Sequence, residues 1–158
     1  MNDSQRIAIA PVRKSILVRT SQARAFEVFT TGLDRWWPKS HYVGPTQVTK
    51  DILEPRLGGR WYEIGEDGAE TTVGRILIWE PPHRFAFSWE INGDWKPDSG
   101  PGSEVEVRFI AEGENSTRVE LEHRLFERIG FEGGTKMRNS VDGGWLGILE
   151  TFKQVAEQ

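Results

Sequence analysis

Two alternating segments in the C-terminal half of the chain restrict its fold more than any other feature. Residues 104–111, EVEVRFIA, and residues 117–125, TRVELEHRL, alternate apolar and polar side chains and are joined by the turn EGENS. The apolar face of the second segment carries Val119, Leu121, His123 and Leu125. Successive side chains of a strand point to opposite faces, so this pattern predicts a β-hairpin. One face of the resulting sheet is charged and exposed to solvent, so only the other face has to pack against another element.

The end of the chain predicts that cover. Residues 140–158, SVDGGWLGILETFKQVAEQ, have the apolar spacing of an amphipathic helix. Gly143, Gly144 and Gly147 interrupt it, although each glycine costs about 1 kcal/mol relative to alanine in a helix interior. Two explanations are open. Either the helix backbone approaches a curved sheet closely at Gly144 and Gly147, or Gly143 and Gly144 belong to the first helical turn.

The remaining segments complete an α+β pattern. Strand patterns occur at residues 12–18, 48–55, 60–64, 71–79 and 84–89. Ser21 is the expected N-cap of a helix in SQARAFEVFTT that stops near Gly32, and LDRWWPKSHYVGP is either irregular or a short second helix. Residues 126–136 are expected to be a glycine-containing connection. We therefore expect residues 1–11 to be a flexible arm and residues 12–158 to be a single domain with an antiparallel sheet.

Composition excludes several classes of function. The 158 residues carry a net charge of −4, so a general basic surface for nucleic acid is not expected. No apolar run approaches the roughly 20 residues that span a membrane, and the first residues do not resemble a secretion signal, so the expected compartment is the cytoplasm. Cysteine is absent, which excludes disulfides and thiolate chemistry. The seven tryptophans and eight phenylalanines are suited to a core or to the wall of an apolar pocket.

Four stretches, in this order, resemble a known family. They are VRTSQARAFEVFTTGLDRWWP, LEPRLGGRWYEIGEDG, GRILIWEPPHRFAFSW and GGWLGILETF. Together they resemble the family named after the C-terminal domain of the activator of heat shock protein 90 ATPase, within the START-like (SRPBCC, birch-pollen-allergen-like) superfamily. The resemblance spans residues 12–156. It implies a helix-grip fold, in which a curved antiparallel sheet of six or seven strands wraps around a long C-terminal helix, with one or two short helices after the first strand.

The resemblance also implies a cavity between the sheet and the last helix. The expected ligand-binding residues are Trp37, Tyr42, Phe85, Phe87, Trp89, His123, Trp145 and Leu149. Trp37 and Tyr42 are expected near the mouth of the cavity. For any single one of these side chains plain core packing is the favoured explanation, whereas the group as a whole favours some contribution to a pocket lining. The inward-facing His123 either orients a ligand, acts as an acid or base, or is a structural histidine with a hydrogen-bond partner.

Other polar residues give weaker signals. His41 is expected in a loop near the mouth, and His83 in a solvated turn. The three histidines lack the spacing of metal ligands, so we expect no metal. We also expect no cofactor, and we assign no catalytic residue. Glu54 and Glu63 flank a glycine turn and are able to point inward. Arg75 either points outward into solvent, as we expect, or inward to pair with Glu63 or an anion.

These features predict reversible binding of a small hydrophobic or amphipathic molecule. One alternative is a co-chaperone or stress-response protein that acts through its surface on a chaperone partner. The activator has a further N-terminal domain that this sequence lacks, so its activity does not follow from the resemblance. The other alternative is an enzyme, such as a cyclase or hydrolase of aromatic or lipid-like substrates. The sequence predicts no oligomeric state.

Overall fold

Seven strands and two helices make up the part of the chain that the structure describes. The computed structural model describes residues 8–158. The strands are β1 (Val12–Val18), β2 (Val48–Leu53), β3 (Arg60–Gly65), β4 (Glu70–Glu80), β5 (Arg84–Trp89), β6 (Ser103–Gly113) and β7 (Ser116–Arg124). The helices are α1 (Gln22–Phe29) and α2 (Phe131–Ala156), and short 3-10 turns cover Leu33–Arg35 and Phe126–Ile129. The predicted α+β helix-grip fold is confirmed.

The sheet is antiparallel and curls around α2. Its strand order is β1-β7-β6-β5-β4-β3-β2, so the first and last strands of the chain are neighbours and Val12 lies opposite His123. Register shifts interrupt the pairing of β3 with β4 and of β4 with β5. Bulges of this kind bend a strand and increase its twist. A Cβ atom at Gly74, on the bulged strand β4, would lie 1.7 Å from the Ser88 carbonyl oxygen, so only glycine fits there.

The core lies between the concave face of the sheet and the two helices. The Ser21 hydroxyl caps α1 by accepting from the Arg24 backbone N–H at 3.2 Å, as the sequence predicts. The Phe29 ring of α1 meets the Phe152 ring of α2 with centroids 4.9 Å apart. The side chains that α2 buries recur every three or four residues, which is the spacing of one helix face. They are Met137, Val141, Trp145, Leu149, Phe152 and Ala156.

Helix α2 begins well before the predicted position. Residues 126–136 were expected to be a connection because of their glycines, but the helix starts at Phe131. Gly134 lies where the first turns of α2 cross the preceding segment. A Cβ atom there would lie 2.2 Å from the Phe126 carbonyl oxygen. Gly134 therefore permits close backbone packing within the first turns of α2, and it does not mark a connection outside the helix.

The glycines farther along α2 fit neither explanation that the sequence offered. Gly143, Gly144 and Gly147 lie deep inside a helix that begins at Phe131, so they do not belong to its first turn. An added Cβ atom at any of the three would meet nothing within 4 Å, so the expected close approach to the sheet is wrong as well. These positions border open space.

The N-terminal end is described in part. Residues 1–7 of the predicted arm lie outside the described residues, and Ile9 packs against the core. The division into an arm and one domain stays a prediction. In the described part of the chain, no helix is long and apolar enough to cross a membrane.

Candidate ligand pocket

A pocket of about 300 Å³ lies between α2 and the strands β3, β4 and β5. Five of the seven tryptophans line it, and they are Trp37, Trp61, Trp89, Trp95 and Trp145. The rings meet mostly at steep angles, with centroids 4.6 Å apart for Trp37 and Trp61 and 5.6 Å apart for Trp89 and Trp145. Edge-to-face and tilted contacts of this kind hold aromatic rings in fixed orientations. The walls of the pocket are therefore broad, rigid and aromatic.

Gly144 supplies part of the α2 wall. It lines the pocket beside Val141, Trp145 and Ile148, and the space where its side chain would stand is empty. Any larger residue at this position would project into that space. Glycine in a helix interior costs about 1 kcal/mol relative to alanine, and at position 144 it leaves volume available in the pocket.

Trp145 is held in place by a buried histidine. Its indole Nε1–H donates to His123 Nδ1 at 3.1 Å, and His123 Nε2 lies 2.8 Å from Ser103 Oγ. Since an indole only donates, Nδ1 is the acceptor and the imidazole proton resides on Nε2, which donates to Ser103. Burial lowers the pKa of His123 to about 3, so the ring is neutral. His123 positions the Trp145 wall of the pocket from behind.

Glu63 is the acidic residue of the lining. Its carboxylate accepts hydrogen bonds from the backbone N–H groups of Val43 and Gly44, each at 3.0 Å. Burial raises the pKa of Glu63, the two backbone hydrogen bonds oppose that shift, and the nearby charge of Asp51 adds to it. The carboxyl group is thereby fixed in position and is easier to protonate than an ordinary glutamate. Within residues 8–158 no cluster of three or more acidic or histidine side chains is arranged to hold a metal ion.

Two exposed aromatic side chains stand at the mouth of the pocket. Tyr42 and Trp95 line it and are each 41% exposed. Trp95 has a backbone φ of 59°, in the left-handed region. Its loop is held by Asn92 Oδ1, which accepts from the backbone N–H groups of Asp94 and Lys96. The loop therefore presents a large ring to solvent at a defined place beside the opening.

The structure divides the eight expected ligand-binding residues into two groups. Trp37, Tyr42, Trp89 and Trp145 line the pocket. The other four are fully or almost fully buried in the core around it, and they are Phe85, Phe87, His123 and Leu149. Contact with a ligand stays a prediction for all eight.

Sequence reasoning left out several lining residues. Trp61 lies two residues before Glu63 on β3, so the alternation of that strand was a usable signal for both. Trp95, in a polar loop, gave no such signal. His41 lines the pocket near its mouth, as expected for a loop residue in that region. Arg75 is exposed and pairs with Glu90, which agrees with the outward orientation.

Comparisons with known proteins agree with this architecture. A family model described as activator of Hsp90 ATPase homolog 1-like protein matches residues 19–157. A search of curated proteins gives no match. Among solved structures, the anthrahydroquino-gamma-pyrone synthase Txn09, complexed with SUM, is 41% identical to this chain. The match covers 94% of this chain and 97% of that one, with a TM-score of 0.66.

Two further structures are informative. The self-sacrificing resistance protein CalC from Micromonospora echinospora is 35% identical, with 92% of this chain and 93% of that chain covered and a TM-score of 0.71. The Aha1 dimer from Colwellia psychrerythraea is 16% identical, covers 94% of this chain and 97% of its own, and has a TM-score of 0.65, which shows a common fold alone. The chain belongs to the family of activator of Hsp90 ATPase homolog 1-like proteins.

Proposed function

We propose that the protein reversibly binds a small, neutral, planar aromatic molecule in the tryptophan-lined pocket. The observation that carries this proposal is the set of five tryptophan rings around a space of about 300 Å³. That volume is at the lower end of the roughly 300–1,000 Å³ of small-molecule sites, so the ligand is small. The lining residues include Glu63 and neither lysine nor arginine. An anionic ligand would meet a carboxylate without a compensating cation.

One similar structure supports an aromatic ligand over an aliphatic one. The name of the synthase at 41% identity specifies a polycyclic aromatic skeleton fused to a pyrone. Flat rings stack against indole faces and edges, which contributes about 0.5–1.5 kcal/mol per aromatic pair beyond the burial of apolar area. A flexible alkyl chain would gain the burial without the ring contacts and would lose more torsional freedom on binding.

Titration with two probes tests this proposal. We expect 9-fluorenone, a planar tricyclic ketone, to quench tryptophan fluorescence saturably with a stoichiometry of one and a dissociation constant in the low micromolar range. Dodecanoate, an aliphatic amphiphile, is expected to bind at least about tenfold more weakly, a difference of about 1.4 kcal/mol. Equal or tighter binding of dodecanoate, or the lack of any saturable signal from fluorenone, would refute an aromatic-selective pocket.

A second candidate function is ring closure on such a ligand. The carboxyl of Glu63 in the pocket favours it, because burial raises its pKa above the ordinary range of a glutamate and two backbone N–H groups hold it in place, as suits a group that both accepts and donates protons. In a 2-hydroxyaryl 1,3-diketone, the phenol oxygen bonds to the distal carbonyl carbon, and Glu63 relays the phenol proton to the carbonyl oxygen. Glu63 then takes a proton from the intervening methylene carbon and returns it to the new hydroxyl group, which leaves as water. The product is a γ-pyrone ring.

This candidate is tested with 1-(2-hydroxyphenyl)butane-1,3-dione, whose closure to 2-methylchromone is followed by absorbance. We expect Glu63→Gln to lower the catalysed rate by about 100-fold or more, the usual range for a general acid–base residue. Glu54→Gln is the matched control, since Glu54 flanks the same hairpin, lies outside the pocket and caps the Arg60 backbone N–H at 2.7 Å. A wild-type rate no faster than buffer, or an undiminished rate in Glu63→Gln, would eliminate this candidate.

The co-chaperone alternative stays a prediction. Its support is the description of the family model, which covers residues 19–157. A chaperone partner and a cytoplasmic location are proposals of the same standing, and a fold shared at 16% identity does not carry a partner from one protein to another.

A further inference from the structure

Trp95 presents a large aromatic ring to solvent beside the pocket. The residue lines the pocket and is 41% exposed, whereas Trp61, Trp89 and Trp145 in the same wall are almost fully buried. Most of the surface of a tryptophan belongs to its indole ring, so ring area at the mouth is accessible to an incoming molecule. A single exposed apolar side chain is common on protein surfaces. The backbone conformation of Trp95 and the attachment of its loop distinguish it from that common case.

The backbone at Trp95 has a conformation that glycine adopts most easily. Its φ of 59° lies in the left-handed region, where a bulky side chain costs free energy and glycine does not. Residues held in such conformations are concentrated at ligand-binding and active sites. Stability alone would therefore favour glycine at this position, so the presence of tryptophan indicates a use for its ring.

The loop that carries Trp95 is fixed to the start of α2 by two contacts. Gly93 lies against Gly133, and an added Cβ atom on Gly93 would lie 2.7 Å from the Gly133 Cα atom. One residue later, the Asp94 carboxylate accepts a hydrogen bond from Lys136 Nζ at 2.9 Å. These contacts hold the backbone before Trp95, which limits the freedom that the loop loses when its ring contacts a ligand.

The ring of Trp95 continues the aromatic wall of the pocket towards solvent. The centroid of the Trp89 ring lies 5.6 Å from that of Trp145 and 6.0 Å from that of Trp61, both inside the pocket. On the side of the mouth, it lies 6.4 Å from the centroid of the Trp95 ring. The pocket has a volume of only about 300 Å³, so a longer aromatic molecule has to project through the mouth, beside Trp95.

We propose that Trp95 forms an outer subsite that packs against a ring projecting from the pocket, which makes the ligand an elongated aromatic molecule with at least one ring more than the pocket encloses. The inference rests on the proposed binding function and narrows its ligand class by length. A molecule that fits wholly within the pocket gains less from Trp95. The residue therefore determines specificity for ligand length.

The test compares 9-fluorenone with 2-phenyl-9-fluorenone, which carries one more aromatic ring at the end of the same skeleton. Dissociation constants are measured by fluorescence titration for the wild type and for Trp95→Gly. Glycine suits the left-handed backbone at this position, so the variant removes the ring without adding strain. We expect the wild type to prefer the longer ketone. Trp95→Gly is expected to reduce that preference by about 2- to 12-fold, the contribution of one aromatic pair.

Leu146→Ala is the control for the loss of an exposed apolar side chain. Leu146 is exposed on α2 and lies outside the pocket lining. Its variant is expected to keep the wild-type preference for the longer ketone. A reduction in Leu146→Ala as large as that in Trp95→Gly would contradict a subsite located at Trp95.

A second readout uses the wild type alone. In ¹H–¹⁵N spectra at saturation, the Trp95 indole signal is expected to shift further with 2-phenyl-9-fluorenone than with 9-fluorenone. The signal of Trp145, inside the pocket, is expected to shift similarly with both. If both ketones bind and Trp95→Gly weakens them by the same factor, with no larger shift at Trp95, the outer subsite is refuted and the aromatic pocket stands. If neither ketone binds the wild type, the proposed binding function fails and the inference fails with it.

Discussion

Replacing Gly144 with leucine is expected to weaken fluorenone binding strongly while leaving the protein at least as stable as the wild type. An added side chain at this position meets empty space, so the helix gains propensity of up to about 1 kcal/mol without a clash. The same side chain occupies pocket volume that the ligand needs. A ligand that binds against this side chain overpacks the pocket, which costs about 1–3 kcal/mol and corresponds to an affinity loss of about 5- to 150-fold.

Gly143→Leu is the matched control for this substitution. Gly143 lies one residue earlier on the same helix, also has empty space around its missing side chain, and is exposed outside the pocket. Its variant is expected to gain similar stability and to bind fluorenone as the wild type does. Stability is measured by urea denaturation and binding by fluorescence titration. Wild-type affinity in Gly144→Leu would show that the ligand site lies elsewhere.

The second large effect is a loss of stability in mild acid that depends on His123. Its pKa is lowered by burial to about 3 in the folded protein, against an ordinary value of 6.5. Below pH 6.5 the unfolded chain binds a proton at this residue and the folded chain does not. The free energy of unfolding therefore falls with pH, by about 1.4 kcal/mol per pH unit, from near pH 6.5 towards pH 3. Well above pH 6.5, His123 is neutral in both the folded and the unfolded chain, so it causes no loss of stability there.

The variant His123→Gln isolates this effect. Glutamine can accept from Trp145 and donate to Ser103, so it is expected to fold, with a loss at pH 7 of about 1–3 kcal/mol for imperfect packing. Its free energy of unfolding is expected to depend less on pH between 5 and 6.5, by about 1.4 kcal/mol per unit. His83→Gln, at an exposed histidine, is the control for the exchange of histidine for glutamine and is expected to cost less than about 0.5 kcal/mol at pH 7.

Other titratable groups do not produce this difference in pH dependence between the wild type and His123→Gln. Hydrogen bonds from Arg124, Arg108 and Arg84 overcome the burial of Glu106 and hold its pKa at about 2, so its contribution is lost only as pH falls below about 4.5. Burial raises the pKa of Glu63, which has the opposite sign and lowers stability as pH rises. Both contributions are common to the wild type and the variants. Parallel pH profiles for the wild type and His123→Gln would contradict a neutral buried histidine.

The strand pattern explains why the fold was predictable and the pocket only partly so. Alternation in β6 and β7 identified the buried face, and it required a helix to cover that face. Alternation places Phe85 and Trp89 on the same face of β5 without distinguishing them. Phe85 is buried in the core, whereas Trp89 lines the pocket. The difference depends on how far neighbouring rings fill the space beside each side chain. The local pattern does not contain this information.

Long-range contacts account for the rest. Trp95 reaches the mouth of the pocket from a polar loop that is tied to α2 by the ion pair of Asp94 with Lys136. Nothing in the residues near Trp95 indicates that pairing. The helix glycines were misread for a related reason. A glycine that permits close contact, as at Gly134, and one that leaves a space, as at Gly144, look identical in sequence.

Indole N–H signals provide the most direct test that the space under Gly144 is a ligand site. The seven tryptophans give seven such signals in a ¹H–¹⁵N spectrum, and each is assigned by substitution to phenylalanine. On titration with 9-fluorenone, we predict saturable shifts of the five signals from the pocket wall, with one common dissociation constant. Trp36 and Trp79, which lie outside the lining, are predicted to change least. Unchanged spectra, or shifts confined to Trp36 and Trp79, would contradict the account.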